Sequence, residues 1–147
     1  MSKTIAIVGS RGFEAPEEYA SLILDRYPVE TVVSGGARGP DRAGEAEALK
    51  RGLRVVSFRP RRQGGIYVVD RYEQGEFAET MSEPDGVPIT FQSFTDAAKR
   101  RNYWIGFAAA GGVHALWDGF SGGTAHAIAA GLRTSRVTPT IWMNGDS

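Results

Sequence analysis

Three times along this chain a short apolar, β-branched run stops at a glycine-rich turn that opens into a helical pattern. Lys3–Val8 runs into Gly9-Ser10-Arg11-Gly12, Glu30–Ser34 into Gly35-Gly36-Ala37-Arg38-Gly39, and Val113–Trp117 into Asp118-Gly119-Phe120-Ser121-Gly122-Gly123. Runs of this length and branching are buried strands. Leu53–Phe58 and Val137–Met143 read as two more strands. Between them lie helical stretches at 16–27, 40–51, 93–110 and 124–132, with Pro16 and Pro40 at helix starts and Gly52 at a helix end. Strands alternating with helices predict an α/β, Rossmann-like parallel sheet of about five strands with helices on both faces. In such a sheet the strand carboxyl ends share one edge, and ligands bind where the strand order reverses.

Glycine makes up 19 of the 147 residues, well above the roughly 7% average. Eight of them sit in the three turns: Gly9, Gly12, Gly35, Gly36, Gly39, Gly119, Gly122 and Gly123. With 7 prolines and no low-complexity run, the excess is local and purposeful. Bare backbone N–H groups at a helix start suit a phosphate or carboxylate. No Gly-Lys-Ser/Thr follows, so none is a Walker A loop, and the dinucleotide fingerprint spacing is also absent.

The remaining composition narrows the classes. Lys+Arg and Asp+Glu are both 17, so the overall basic character of a duplex-DNA binder is missing. Cys is 0 and His is 2, which excludes disulfides and a thiolate nucleophile and leaves no metal site to expect. No apolar run approaches 18 residues and no signal peptide is visible, so the chain reads as one cytoplasmic domain over 1–147 without membrane contact. Arg59–Gln92 breaks the alternation and is too long for an ordinary loop; it reads as a lid, an insertion or an oligomer contact.

Candidate site residues follow from the turns. Ser10 offers a hydroxyl and Arg11 a guanidinium fork. Ser34, Gly35, Gly36, Arg38 and Gly39 form the second turn, with Asp41 either capping the next helix or facing ligand. In the third, Gly122, Gly123 and Thr124 present amides and a hydroxyl, while Asp118 and Ser121 serve a ribose or the turn itself. His126 falls in the first helical turn. Trp104, Trp117 and Tyr67 are candidates to stack a base.

Taken together, Gly9-Ser10-Arg11, Gly35-Gly36-Ala37-Arg38-Gly39-x-Asp41-Arg42, Arg101-Asn102 and Trp117-Asp118-Gly119-x-Ser121-x-Gly123-Thr124-Ala125-His126 resemble the YspA-like branch of the SLOG superfamily. The resemblance spans most of the chain outside 59–92. It implies a Rossmann-like domain for nucleotides and nucleotide-derived ligands, often related to NAD or ADP-ribose, and frequent homo-oligomers. It also implies ligand contacts at the first two loops, at Gly123 and Thr124, and at Arg101 and Asn102. Relatives include the lonely-guy phosphoribohydrolases and the single-stranded-DNA-binding DNA-processing protein A. The phosphoribohydrolase pattern places a carboxylate after the threonine; here Thr124 is followed by Ala125-His126-Ala127. A glycosidic-bond cleaver benefits from that carboxylate, so its absence counts against this activity. Many YspA-like chains carry a basic residue where Gly122 sits, and Arg59, Arg61 and Arg62 are candidates to replace that contact.

The leading expectation is therefore a non-catalytic module that senses or sequesters a signalling nucleotide and needs no cofactor. Small proteins of this kind also occur in phages, where sequestering a defence signal is a natural task. The alternative is a nucleotide hydrolase or phosphoribohydrolase using Asp118, His126 or Asp41. A third reading is a single-stranded nucleic-acid binder using arginines 59, 61, 62, 100 and 101 with interleaved aromatics, against which the zero net charge counts.

Overall fold

The computed structural model describes residues 3–144. The elements run β1 (Thr4–Gly9), α1 (Pro16–Arg26), β2 (Thr31–Ser34), α2 (Pro40–Lys50), β3 (Arg54–Gln63), β4 (Ile66–Glu73), β5 (Glu76–Thr80), α3 (Phe94–Ala108), β6 (Val113–Leu116), α4 (Gly122–Thr134) and β7 (Thr140–Trp142). One sheet holds all seven strands in the order β5-β4-β3-β2-β1-β6-β7. The β1–β2, β2–β3, β1–β6 and β6–β7 pairs are parallel, and β3–β4 and β4–β5 are antiparallel.

The strand count exceeds the expected five because residues 59–80 of the segment 59–92 are built into the sheet. They lengthen β3 and add β4 and β5 to the same sheet as its antiparallel edge. The β4–β5 link is Gln74-Gly75, with φ of 50° and 79°. Positive φ at both central residues is the mirror-image turn that matches the strand twist. The β3–β4 link is Gly64-Gly65, with Gln63 paired to Ile66.

Period-two alternation divides the core. Ile5 and Ile7 of β1 face Ile23 and Leu24 of α1 and Ala48 of α2. Ala6 and Val8 face Ala97 and Ile105 of α3 and Ala127 of α4. The sheet is thus covered on both faces, as near-continuous apolar parallel strands require. Among the described residues, no helix is long and apolar enough to cross a membrane.

The chain moves outward from β1 through β2 to β3, then returns to place β6 on the other side of β1. The strand order therefore reverses between β1 and β6. The carboxyl ends of these two strands, Gly9 and Leu116, lie in register with each other, and the ligand crevice of an open α/β sheet forms beyond such a pair.

Candidate functional site

The polar residues at this edge first hold the loops to one another. Ser10 is 2% exposed. Its Oγ accepts from the Asp118 amide at 3.2 Å and lies 3.1 Å from Thr124 Oγ1. The side chain thus joins the end of β1 to the loop after β6 and to the first turn of α4.

Asp41 makes the equivalent brace on the other side of β1. The N-cap of α2 is Gly39, and no side chain caps that helix. The Asp41 carboxylate instead accepts from the Gly9 amide (3.1 Å) and the Gly35 amide (2.7 Å), tying the ends of β1 and β2 to α2. Burial raises its pKa from 3.8 to about 6; the nearby Arg101 charge and the two amides oppose that rise. In the second turn the Gly36 amide donates to Ser34 Oγ at 3.2 Å, and Ser34 Oγ donates to Glu45. The amides of Gly9, Gly35 and Gly36 are therefore engaged within the protein.

A second chain of contacts crosses from α3 to α4. Arg101 donates through Nη1 to the Gly35 carbonyl (2.8 Å) and through Nε to Asn102 Oδ1 (3.0 Å). Asn102, 7% exposed, then places its Nδ2 3.0 Å from His126 Nδ1. With Oδ1 accepting from Arg101, Nδ2 is the donor, so His126 Nδ1 accepts and Nε2 carries the imidazole proton. Partial burial, with the positive charges of Lys99, Arg101 and Arg133, holds the His126 pKa below its ordinary value. The ring is a neutral donor at physiological pH.

These braces surround a cavity of about 530 Å³, a size suited to a small-molecule ligand. Asp118 stands at its rim. Its Oδ1 accepts from the Phe120 and Ser121 amides, both at 2.8 Å, which hold the carboxyl below its ordinary pKa. Ser121 caps α4, accepting from the Thr124 amide at 3.5 Å. The next amides, of Gly122 and Gly123, precede the first intrahelical bond, from Ala125 to the Ser121 carbonyl. A Cβ at either glycine would meet nothing within 4 Å. Two cations that line the cavity, Arg11 and Lys99, have no hydrogen bond or ion pair among the described residues.

Of the residues singled out in the sequence, Gly9, Arg11, Asp41, Arg101, Asn102, Asp118, Ser121, Gly122, Gly123, Thr124 and His126 line this cavity. Ser10, Ser34, Gly35, Gly36, Arg38 and Gly39 do not. Ser10, Ser34, Gly35 and Gly36 are buried as braces behind it, and Arg38 is exposed. The arginines of β3 do not line this cavity. Arg59 pairs with Glu45 at 2.9 Å, Arg61 with Asp70 at 2.5 Å, and Arg62 donates to the Gly64 carbonyl. Trp104 and Tyr67 do not line the cavity, and Trp117 donates its indole N–H to the Ser121 carbonyl.

Gly12 of the first turn lines the cavity too, as do Thr95 and Lys99, which the sequence reading did not name. The signal for the last two was helical phase, since Thr95, Lys99 and Asn102 follow one another at four and three residues along α3. Comparison of the chain with protein-family models, curated proteins and solved structures returned no match.

Proposed function

We propose that this cavity binds a nucleotide-derived, phosphate-bearing ligand, and that the chain works as a sensor or sequestering module for it. The observation that carries the reading is the open Gly122-Gly123 turn at the start of α4, facing a cavity with unpaired Arg11 and Lys99. Free amides and the helix dipole favour an anion there. Charge-assisted bonds from a guanidinium or ammonium add about 1.5–3 kcal/mol each. On the rim, the Asp118 carboxylate has acceptor capacity left for ribose hydroxyls. The resemblance to the SLOG superfamily is part of this proposal, supported by the loops that gather at the β1/β6 switch point.

Binding is favoured over turnover by the way the ionisable groups are engaged. Both Asp41 oxygens accept amides, and Asp41 is 4% exposed. One Asp118 oxygen accepts two amides, and the Asn102 amide holds His126 Nδ1. Each of these groups has its geometry set by the fold.

Gly123→Val tests the reading. A valine there projects into open space, so the fold survives while the anion seat is filled. Thermal-shift titration with ADP and with inorganic pyrophosphate is expected to stabilise the wild type and leave Gly123→Val unshifted. Equal stabilisation of both proteins would contradict the proposal.

A further inference from the structure

A second concavity, of about 740 Å³, runs along the outer side of α3. Its lining includes Phe91, Gln92, Tyr103 and Trp104, and it shares Lys99 and His126 with the anion cavity. We propose that this groove takes the aromatic base of the ligand, making the ligand a nucleotide that spans both cavities, phosphate at Gly122-Gly123 and base beyond Lys99 and His126. The inference rests on the phosphate reading of the adjoining cavity.

The chemistry of the walls fits a planar heterocycle. Trp104 is held in place, with the Arg100 guanidinium 5.3 Å from its ring centroid and the Phe58 ring at 6.3 Å. Tyr103 meets the His126 imidazole edge-on at 5.8 Å and 73°. Phe91 is fixed from the other side, because its backbone exchanges two hydrogen bonds with Tyr67 of β4, at 2.8 and 2.9 Å. This wall comes from the stretch 59–92, which lies outside the SLOG resemblance.

Polar atoms stand among the rings. Gln92 is exposed and has no partner among the described residues. His126, with Nδ1 held by Asn102, keeps Nε2–H to donate. A ring stacked here would find a donor and an amide for its edge, which is how proteins read a base. A second copy of the chain would need a broad apolar face; this groove instead interleaves aromatic rings with Lys99, Gln92 and Asp96 and continues into a cationic cavity.

The test is calorimetric titration of the protein with pyrophosphate and with ADP, GDP, CDP and UDP, repeated on Tyr103→Ala and Gln92→Ala. Both positions are accessible enough for the variants to fold, which circular dichroism checks. At least one nucleotide is expected to bind about tenfold or more tighter than pyrophosphate, in line with base–aromatic stacking. Tyr103→Ala is expected to remove most of that preference with pyrophosphate affinity unchanged, and Gln92→Ala to alter the ranking among the four bases. Four nucleotides no tighter than pyrophosphate, or a preference intact in both variants, would overturn the groove assignment and leave the phosphate reading standing. No binding by any of the five probes would overturn both. Light scattering closes the remaining route: a dimer that substitution of Phe107, an exposed residue of the same groove, by glutamate (Phe107→Glu) dissociates would assign the groove to a second copy and overturn the proposal.

Discussion

Asp41 and His114 pull the stability of this protein in opposite directions as pH changes. Burial raises Asp41 from 3.8 to about 6 and lowers His114 from 6.5 to about 4. Each shift corresponds to about 3 kcal/mol. The folded state holds the Asp41 proton more tightly than the unfolded chain, so this group costs stability as pH rises from 3.8 to about 6. It holds the His114 proton less tightly, so that group costs stability as pH falls from 6.5 to about 4. Over the shared window the two contributions nearly cancel. Urea unfolding between about pH 6.5 and 4 is expected to show Asp41→Asn losing about 3 kcal/mol more than the wild type on acidification. His114→Gln is expected to gain a similar amount relative to wild type. Identical profiles for the three proteins would contradict the assignment. The carboxamide that Asp41→Asn introduces also turns its NH2 group toward one of the two backbone N–H donors, which adds a cost independent of pH. At this scale the sequence was legible in chemistry but not in partners. A carboxylate at the start of α2 was bound to accept amide protons. The Gly35 amide lies six residues away in the same turn, but that the other belongs to Gly9 depends on strands brought together only by the sheet.

Among the elements, α3 and α4 approach closely where Gly106 faces Thr134. A Cβ on Gly106 would lie 1.9 Å from Thr134 Oγ1, which donates to the Ala130 carbonyl at 2.7 Å. Gly106→Ala is expected to destabilise by about 1–3 kcal/mol, the range for overpacking. Adding Thr134→Ala removes the obstructing hydroxyl and is expected to restore part of the loss. Additive effects in chemical denaturation would contradict this contact. The parallel core strands and all four helices were legible because β-branched runs and the helical spacing of apolar residues agree, with proline starts at α1 and α2. The hairpins were not, although Gly64-Gly65 marked one turn. Pro60 and a row of arginines obscured the extension of β3, and Gln74 is a rare residue for a turn that needs positive φ. Arg61 is admitted to the strand because it pairs with Asp70, which is 1% exposed and also accepts from Thr80.

At the scale of the whole molecule, a neutral chain carries a local positive site. Most arginines of the β3–β4–β5 region spend their charge on Glu45, Asp70, Glu73 and Glu79. Arg11 and Lys99 do not, and both face the cavity. Nucleotide affinity is therefore expected to fall as salt rises from about 0.05 to 0.5 M, with a shallow slope that reflects about two cations. Calorimetry at three salt concentrations checks this, and an affinity independent of salt would contradict it. The three glycine turns, alike in sequence, have separate roles. In the first two, strand-end amides and small side chains lock the β1, β2 and α2 junction. The third leaves the Gly122 and Gly123 amides open beside the cavity. Amide-resolved NMR during titration with ADP measures that division most directly. The largest shift changes are expected at Gly122, Gly123 and Thr124, with Gly35 and Gly36 little moved. Changes centred on Gly35 and Gly36, or none at the start of α4, would contradict the account.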